Sequence, residues 1–109
     1  MSRLEQVNDL LRDEVASLIK KSIDFASGTI FTVTKVQTSD DLKYAKIFVS
    51  VMPKDKETEV LEILETEIGN IQRGLNKKLV MRYVPKIRFV IDDSEGKVAR
   101  IEELLNNDQ

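Results

Sequence analysis

The stretch from Pro53 to Asp92 constrains the fold most. Val60, Leu64, Ile68, Ile71, Leu75 and Leu79 recur four, four, three, four and four residues apart, which puts them on one face of a helix. That spacing is slightly longer than an ideal turn, so the stripe drifts unless the helix bends, and Gly69 is the natural place for a break or kink. Val84-Pro85 is the expected helix end, because the residue before proline is pushed out of the α region. Ile87, Phe89 and Ile91 then alternate with Lys86, Arg88 and Val90, the period of a strand.

Charge divides the same stretch. Asp55 through Glu67 is acidic apart from Lys56, whereas Asn70 through Arg88 holds Arg73, Lys77, Lys78, Arg82, Lys86 and Arg88 and no acid. Acid at a helix start and base at its end suits the macrodipole. The basic run continues past the helix into the strand, where no helix dipole calls for it, and this favours a functional basic patch. With a net charge of −2, any binding of nucleic acid has to come from such a local patch rather than from the overall field.

Upstream, Ser2 and Glu5 have capping-box spacing, and Leu4, Val7, Leu11, Val15 and Leu18, widened by Leu10 and Ile19, make an amphipathic helix. Arg3, Arg12, Lys20 and Lys21 could touch a polyanion but read more simply as a solvated face. Asp24 to Gly28 is a loop. Ile30 to Thr38 is rich in β-branched residues, but Phe31 and Val33 share one parity and Val36 the other, which calls for a bulge or burial on both faces. Thr38-Ser39-Asp40-Asp41 is turn chemistry, and Ala45, Ile47, Val49 and Val51 alternate cleanly after it, so the two runs form an antiparallel hairpin. Tyr44 and Phe48 fall on its opposite face, where aromatics either stack bases or, more commonly, pack across strands. Val98, Ile101, Leu104 and Leu105 suggest a short last helix, and Asn106 to Gln109 a frayed end.

Helix, hairpin, long helix, strand and short helix in that order make a two-layer α+β sandwich, with the second and third strands linked by a crossover through the helix. A chain of 109 residues, 41% apolar and 33% charged, is enough for one domain with a modest core. It has no cysteine and no histidine, so disulfides, thiolate metal sites and the commonest general base are excluded. No apolar run approaches membrane-spanning length and no secretory signal opens the chain, so a soluble cytoplasmic protein is expected. Gly69 and Gly74 flank Asn70 to Arg73 without the lysine of a phosphate loop. Asp40-Asp41 and Asp92-Asp93 are adjacent carboxylates that could meet to hold a hard cation such as magnesium, but both sit where turn work is the simpler role. No convergent catalytic set is present, and an enzyme, a cofactor, a metal site and a small-molecule substrate are not expected.

Several stretches carry a resemblance. Val33-Thr34-Lys35-Val36, Asp41 to Val51, Arg82-Tyr83-Val84-Pro85-Lys86-Ile87-Arg88-Phe89-Val90-Ile91-Asp92-Asp93-Ser94, and Arg100-Ile101 resemble the ribosome-binding factor A family, as do the N-terminal helix and Ile68-Gly69 before Ile71. The resemblance covers about Arg3 to Leu105. It implies a type II KH-like fold in the order α-β-β-α-β with the second helix kinked at Gly69, a single domain over residues 1–105 and a tail at 106–109. It also implies a monomeric bacterial assembly factor that binds the immature small ribosomal subunit and its ribosomal RNA and aids maturation of the RNA 5′ end. KH domains clamp nucleic-acid backbone with a GXXG loop. The family has an Ala-x-Gly kink instead, which here reads Glu67-Ile68-Gly69, and Gln6 and Phe25 also stand where the family differs.

On this reading Arg73, Lys77, Lys78 and Arg82 contact phosphates with Lys86 and Arg88 in support, and Gly69 is expected to need a positive φ or a close backbone approach. The alternative is a protein-interaction module that acts by strand addition at the hairpin edge, without RNA affinity of its own.

Overall fold

The structure, a computed structural model, describes residues 2–93. The expected helix around Val98 to Leu105 and the tail beyond it lie outside the described residues.

Helix α1 spans Arg3–Ser22. The Ser2 hydroxyl accepts the Glu5 amide at 3.1 Å, so one orphan donor of the first turn is satisfied. Val7, Leu11, Val15 and Ile19 are buried. Strands β1 (Ile30–Thr38) and β2 (Tyr44–Met52) pair antiparallel from Ile30↔Met52 to Thr38↔Ala45. The parity change seen in the sequence is a bulge at Thr34: Val33 lies opposite Val49 and Lys35 opposite Phe48, so Val33 and Val36 both face the core. The extra residue is not idle. Thr34 Oγ1 donates to Asp92 Oδ2 at 2.6 Å and lies 3.2 Å from the Phe48 carbonyl oxygen.

A 3-10 turn at Lys54–Lys56 leads into α2, Glu57–Lys78, so the second helical block is jointed at its start. Val60, Leu64, Ile71 and Leu75 are buried on the predicted stripe, with Leu79 beyond the end and Ile68 partly buried. Strand β3, Lys86–Ile91, runs parallel to β2 from Tyr44↔Lys86 to Val49↔Ile91, giving the order β1-β2-β3. Both helices cover one sheet face. There they meet Val33, Val36, Ala45, Ile47, Val49, Val51, Ile87 and Phe89. Truncating a fully buried member such as Leu64 to alanine costs about 2–5 kcal/mol. Among the described residues no helix covers the other sheet face. This is the expected α-β-β-α-β sandwich.

Two local expectations change. The helix ends at Lys78, well before Val84-Pro85, because Leu79 turns extended (φ −89, ψ 131) and keeps its side chain in the core. The chain then has residues to spare for the climb to the sheet, where the Lys86 amide donates to the Lys43 carbonyl at 2.8 Å. Nor does Gly69 need a positive φ or a close approach. It sits inside α2, and a Cβ there meets only the tip of Arg73 at 3.6 Å, an ordinary contact. The close approach belongs to Gly74, where a Cβ would lie 2.9 Å from a methyl of Leu18 on α1.

Candidate nucleic-acid interface

The parallel pairing of β2 and β3 decides where the basic run goes. β2 and β3 begin at the same end of the sheet, β1 finishes there, and α2 arrives there from the opposite direction. Asn8 of α1 brings the helix N-terminus to that end as well: its Oδ1 accepts from the Thr38 amide at 3.0 Å and the Thr38 hydroxyl at 2.5 Å. One end of the molecule therefore collects the start of α1, the hairpin turn, the end of α2 and the loop at 79–85. Arg3, Lys43 and Arg82 line a shared cleft of about 730 Å³ with Asp41, Leu42 and residues 80–84. Val80 and Tyr83 project from it, fully and 73% exposed, and the Arg82 guanidinium lies over the Tyr83 ring at 5.5 Å.

The turn and the loop are held in place. Asp41 Oδ1 accepts from the Ser39 hydroxyl (2.6 Å) and the Lys43 amide (3.0 Å), and Leu42 takes the left-handed φ of +62. The Ser39 hydroxyl, and next the Lys43 amide, hold the Asp41 carboxyl below the usual carboxylate pKa. On the other side, the Gln72 amide group clamps the loop to α2. Its Oε1 accepts the Ile87 amide (2.9 Å), which points off the outer edge of the sheet, and its Nε2 donates to the Pro85 carbonyl (3.0 Å) and to Asn76.

The six predicted site residues are all exposed, and the fold divides them. Gln72 faces β3 and Gly74 faces α1, so Arg73 between them points to solvent, and Lys77 lies one turn further on. Arg73 also donates to Asn70. Lys78 closes the helix and Arg82 sits in the loop. Lys86 and Arg88 leave β3 on the opposite side from Ile87 and Phe89, on the open sheet face, away from α2. The end of the molecule joins these two sides.

Sequence reasoning missed the companions that pairing supplies. Lys46 lies opposite Arg88, Tyr44 opposite Lys86, and Lys35 opposite Phe48, with the Lys35 ammonium 4.6 Å above the Phe48 ring. The register sets Lys46 beside Arg88, and Lys35 on the far side of β2, beside Phe48. Arg3 read as solvated surface and Lys43 drew no separate reading; the fold brings both to Arg82.

The carboxylates do local work. Asp41 closes the turn, and Asp92 accepts from Thr34. Among the described residues no cluster of three or more acidic, cysteine or histidine side chains is arranged to hold a metal, and no helix is long and apolar enough to cross a membrane.

Comparison with known proteins places this architecture. The family model for ribosome-binding factor A matches residues 3–105. The chain belongs to the ribosome-binding factor A family. It is 38% identical over 107 residues to ribosome-binding factor A of Protochlamydia amoebophila, covering 96% of this chain and 82% of the relative. It is 37% identical over 105 residues to that of Akkermansia muciniphila, covering 96% and 83%. Among solved structures, the crystal structure of ribosome-binding factor A from Thermus thermophilus superimposes with a TM-score of 0.71 at 20% identity, covering 81% of this chain and 93% of that one. A model of Thermus thermophilus ribosome-binding factor A fitted into a cryo-EM map of a 30S complex gives 0.66 at 20% identity, covering 86% and 97%. Ribosome-binding factor A members therefore share this order of helices and strands.

Proposed function

We propose that this chain binds the immature small ribosomal subunit and its ribosomal RNA during maturation, through the basic end of the molecule, and aids maturation of the RNA 5′ end. The family is one of non-catalytic assembly factors, and the chain acts as one. The reading rests on the family match over residues 3–105. The geometry that supports it is the gathering of Arg73, Lys77, Lys78 and Arg82 with Lys43 and Arg3 toward one end of an otherwise acidic protein. Lys86 and Arg88 extend it onto the sheet, and residues 1–105 act as one domain. The setting is the cytoplasm, where subunits are assembled.

Phosphate contacts release condensed counterions, so binding weakens as salt rises. The test is co-sedimentation with immature small subunits across a salt series. Charge reversal of Lys77, Lys78 and Arg82 together is expected to lower the slope of log K against log salt by about 2–3. Melting should change little, since all three side chains are exposed and the helix-dipole contribution of Lys77 and Lys78 is only about 0.3–1 kcal/mol per charge at best. Wild-type affinity in the triple variant would remove the patch from the interface.

Strand addition stays the second reading, because β1 is an edge strand beside a groove lined by Phe25 and Phe31. Release by salt or nuclease supports the RNA reading, and retention through both treatments supports the protein one.

A further inference from the structure

The open face of the sheet has a composition that covering a core does not explain. β2 runs down its middle and presents Tyr44, Lys46 and Phe48 in succession. Lys35 and Gln37 flank them on β1, and Lys86 and Arg88 on β3. Four cations thus share one face of three short strands in a protein whose net charge is −2, and no strand position on that face between Lys35 and Arg88 is acidic. The ion pairs among the described residues join Arg12 to Asp9 and Asp13, and Lys56 to Glu59; none uses these cations. Two acids stand at the ends of the face: Asp40 lines the cleft beside Tyr44, and Asp92, just past β3, accepts from Thr34.

The two aromatics differ. The Lys35 ammonium covers the Phe48 ring, but Tyr44 is 61% exposed. Tyr44, Lys46 and Arg88 border a cleft of about 560 Å³ together with Gln37 and Ser39. The Tyr44 backbone is fixed on both sides, its amide donating to the Ser39 hydroxyl at 3.0 Å and its carbonyl accepting the Ser39 amide at 2.8 Å. An exposed flat ring on a well-anchored central strand, with Lys86 across from it and Lys46 next along the same face, is how sheet surfaces take unpaired bases: the ring stacks a base and the cations take the adjoining phosphates.

We infer that the open sheet face is a single-stranded RNA site in which Tyr44 stacks one unpaired base while Lys46, Lys86 and Arg88 hold the flanking phosphates. It rests on the reading of the protein as an RNA binder and adds a second surface, on the side of the sheet away from Arg73 and Lys77. Paired RNA offers no free base face to Tyr44, so the site discriminates single strands from duplex.

The probe is a fluorescent single-stranded RNA of about ten nucleotides, long enough for one such face, compared with a blunt RNA duplex by anisotropy at low salt. Tyr44→Ala is expected to weaken single-strand binding about five- to a hundredfold and duplex binding less than twofold, with Tyr44→Phe close to wild type. Lys46→Glu with Arg88→Glu weakens both and flattens the salt dependence. Because Tyr44 is exposed, melting should be unchanged in all of them. Equal losses on single strand and duplex, no loss in Tyr44→Ala, or no single-strand binding by the intact protein overturns the site. Immature-subunit co-sedimentation separates the two readings: a wild-type protein that sediments with subunits but whose Tyr44→Ala variant keeps full oligonucleotide affinity loses this inference alone. A protein that does not sediment with subunits at all loses the underlying one.

Discussion

Gly69 and Gly74 lie in the same helix, and alanine should act on them in opposite directions. At Gly69 a Cβ meets only the Arg73 guanidinium at 3.6 Å, and no positive φ has to be given up. Alanine there recovers the ordinary helix-propensity difference and reduces the freedom of the unfolded chain, a gain of roughly 0.5–1 kcal/mol. For a domain of this size that raises Tm by roughly 2–8 °C. At Gly74 the same gain is set against Leu18, whose methyls would lie 2.9 and 3.2 Å from the new carbon. Leu18 is only partly buried and can swing, which costs about 0.5–1.5 kcal/mol for an off-rotamer side chain and more if α1 must shift. Gly74→Ala is therefore expected to range from neutral to about 2 kcal/mol destabilising. The decisive arm is a double-mutant cycle with Leu18→Ala. With Leu18 shortened, Gly74→Ala should become as favourable as Gly69→Ala. Urea melts of the four single and double variants read this directly. A destabilised Gly69→Ala would refute the reasoning, since it would mean the helix needs glycine there for a bend. A Gly74→Ala that stabilises with Leu18 intact would mean that α1 and α2 are not in close contact at that point.

Gln72→Ala removes both amide contacts to the loop before β3 and should cost about 1–3 kcal/mol by urea melting, with the Ile87 amide losing hydrogen-exchange protection first. Asp41 has a lowered folded pKa, so its contribution is present above the unfolded value and is lost as pH falls through the folded one. The hairpin tip should loosen only in acid below the usual aspartate range, and Ser39→Ala should move the NMR titration of Asp41 upward. Millimolar magnesium should leave Tm unchanged, because Asp41 and Asp92 are already engaged by Ser39 and Thr34; a stabilisation abolished by Asp93→Asn would revive a cation site.

How far the sequence could be read depended on whether a signal was local. That β1 needs a bulge or burial on both faces was visible because Val33 and Val36 break parity within one strand; the register decides for a bulge and puts it at Thr34. The α2 stripe was visible because helical periodicity is local too. The end of α2 was not. Leu79, Val80 and Met81 are tolerable in a helix, so proline was the only local mark. The actual end is set by the distance the chain must cover to bring Lys86 to Lys43. The close approach was expected at Gly69, and only the placing of Leu18 assigns it to Gly74. The basic run was plain in the sequence, but its partition between the α2 surface and the open sheet face follows from alternation in β3 combined with the parallel register. Lys35, Lys43 and Lys46 join it only through pairing.

The charge pattern of α2 takes on a different meaning once the strands are in place. A helix dipole accounts for Glu57 and Glu59 at one end and Lys77 and Lys78 at the other, at roughly 0.3–1 kcal/mol per charge at best. It does not account for Lys43 in the hairpin turn, Arg82 in the loop, or Arg3 at the start of α1. The last of these sits at a helix N-terminus, where the dipole disfavours a cation. These three come from separate parts of the chain and share only a place in space. A sum of unrelated local preferences would scatter them. Their convergence around exposed Val80 and Tyr83, with the acidic half of α2 running toward the other end of the sheet, gives the molecule a basic end and an acidic body. Such a field orients the protein before contact, drawing the loop and hairpin turn toward a polyanion while the acidic half of α2 is repelled from it. Reversing Arg3 and Lys43 should therefore slow association with immature subunits and leave dissociation nearly unchanged, whereas Lys77, Lys78 and Arg82 reversal should speed dissociation as well. Stopped-flow association at two salt concentrations separates the cases, and an Arg3 and Lys43 variant with wild-type on-rates at low salt would show that the basic end does not steer.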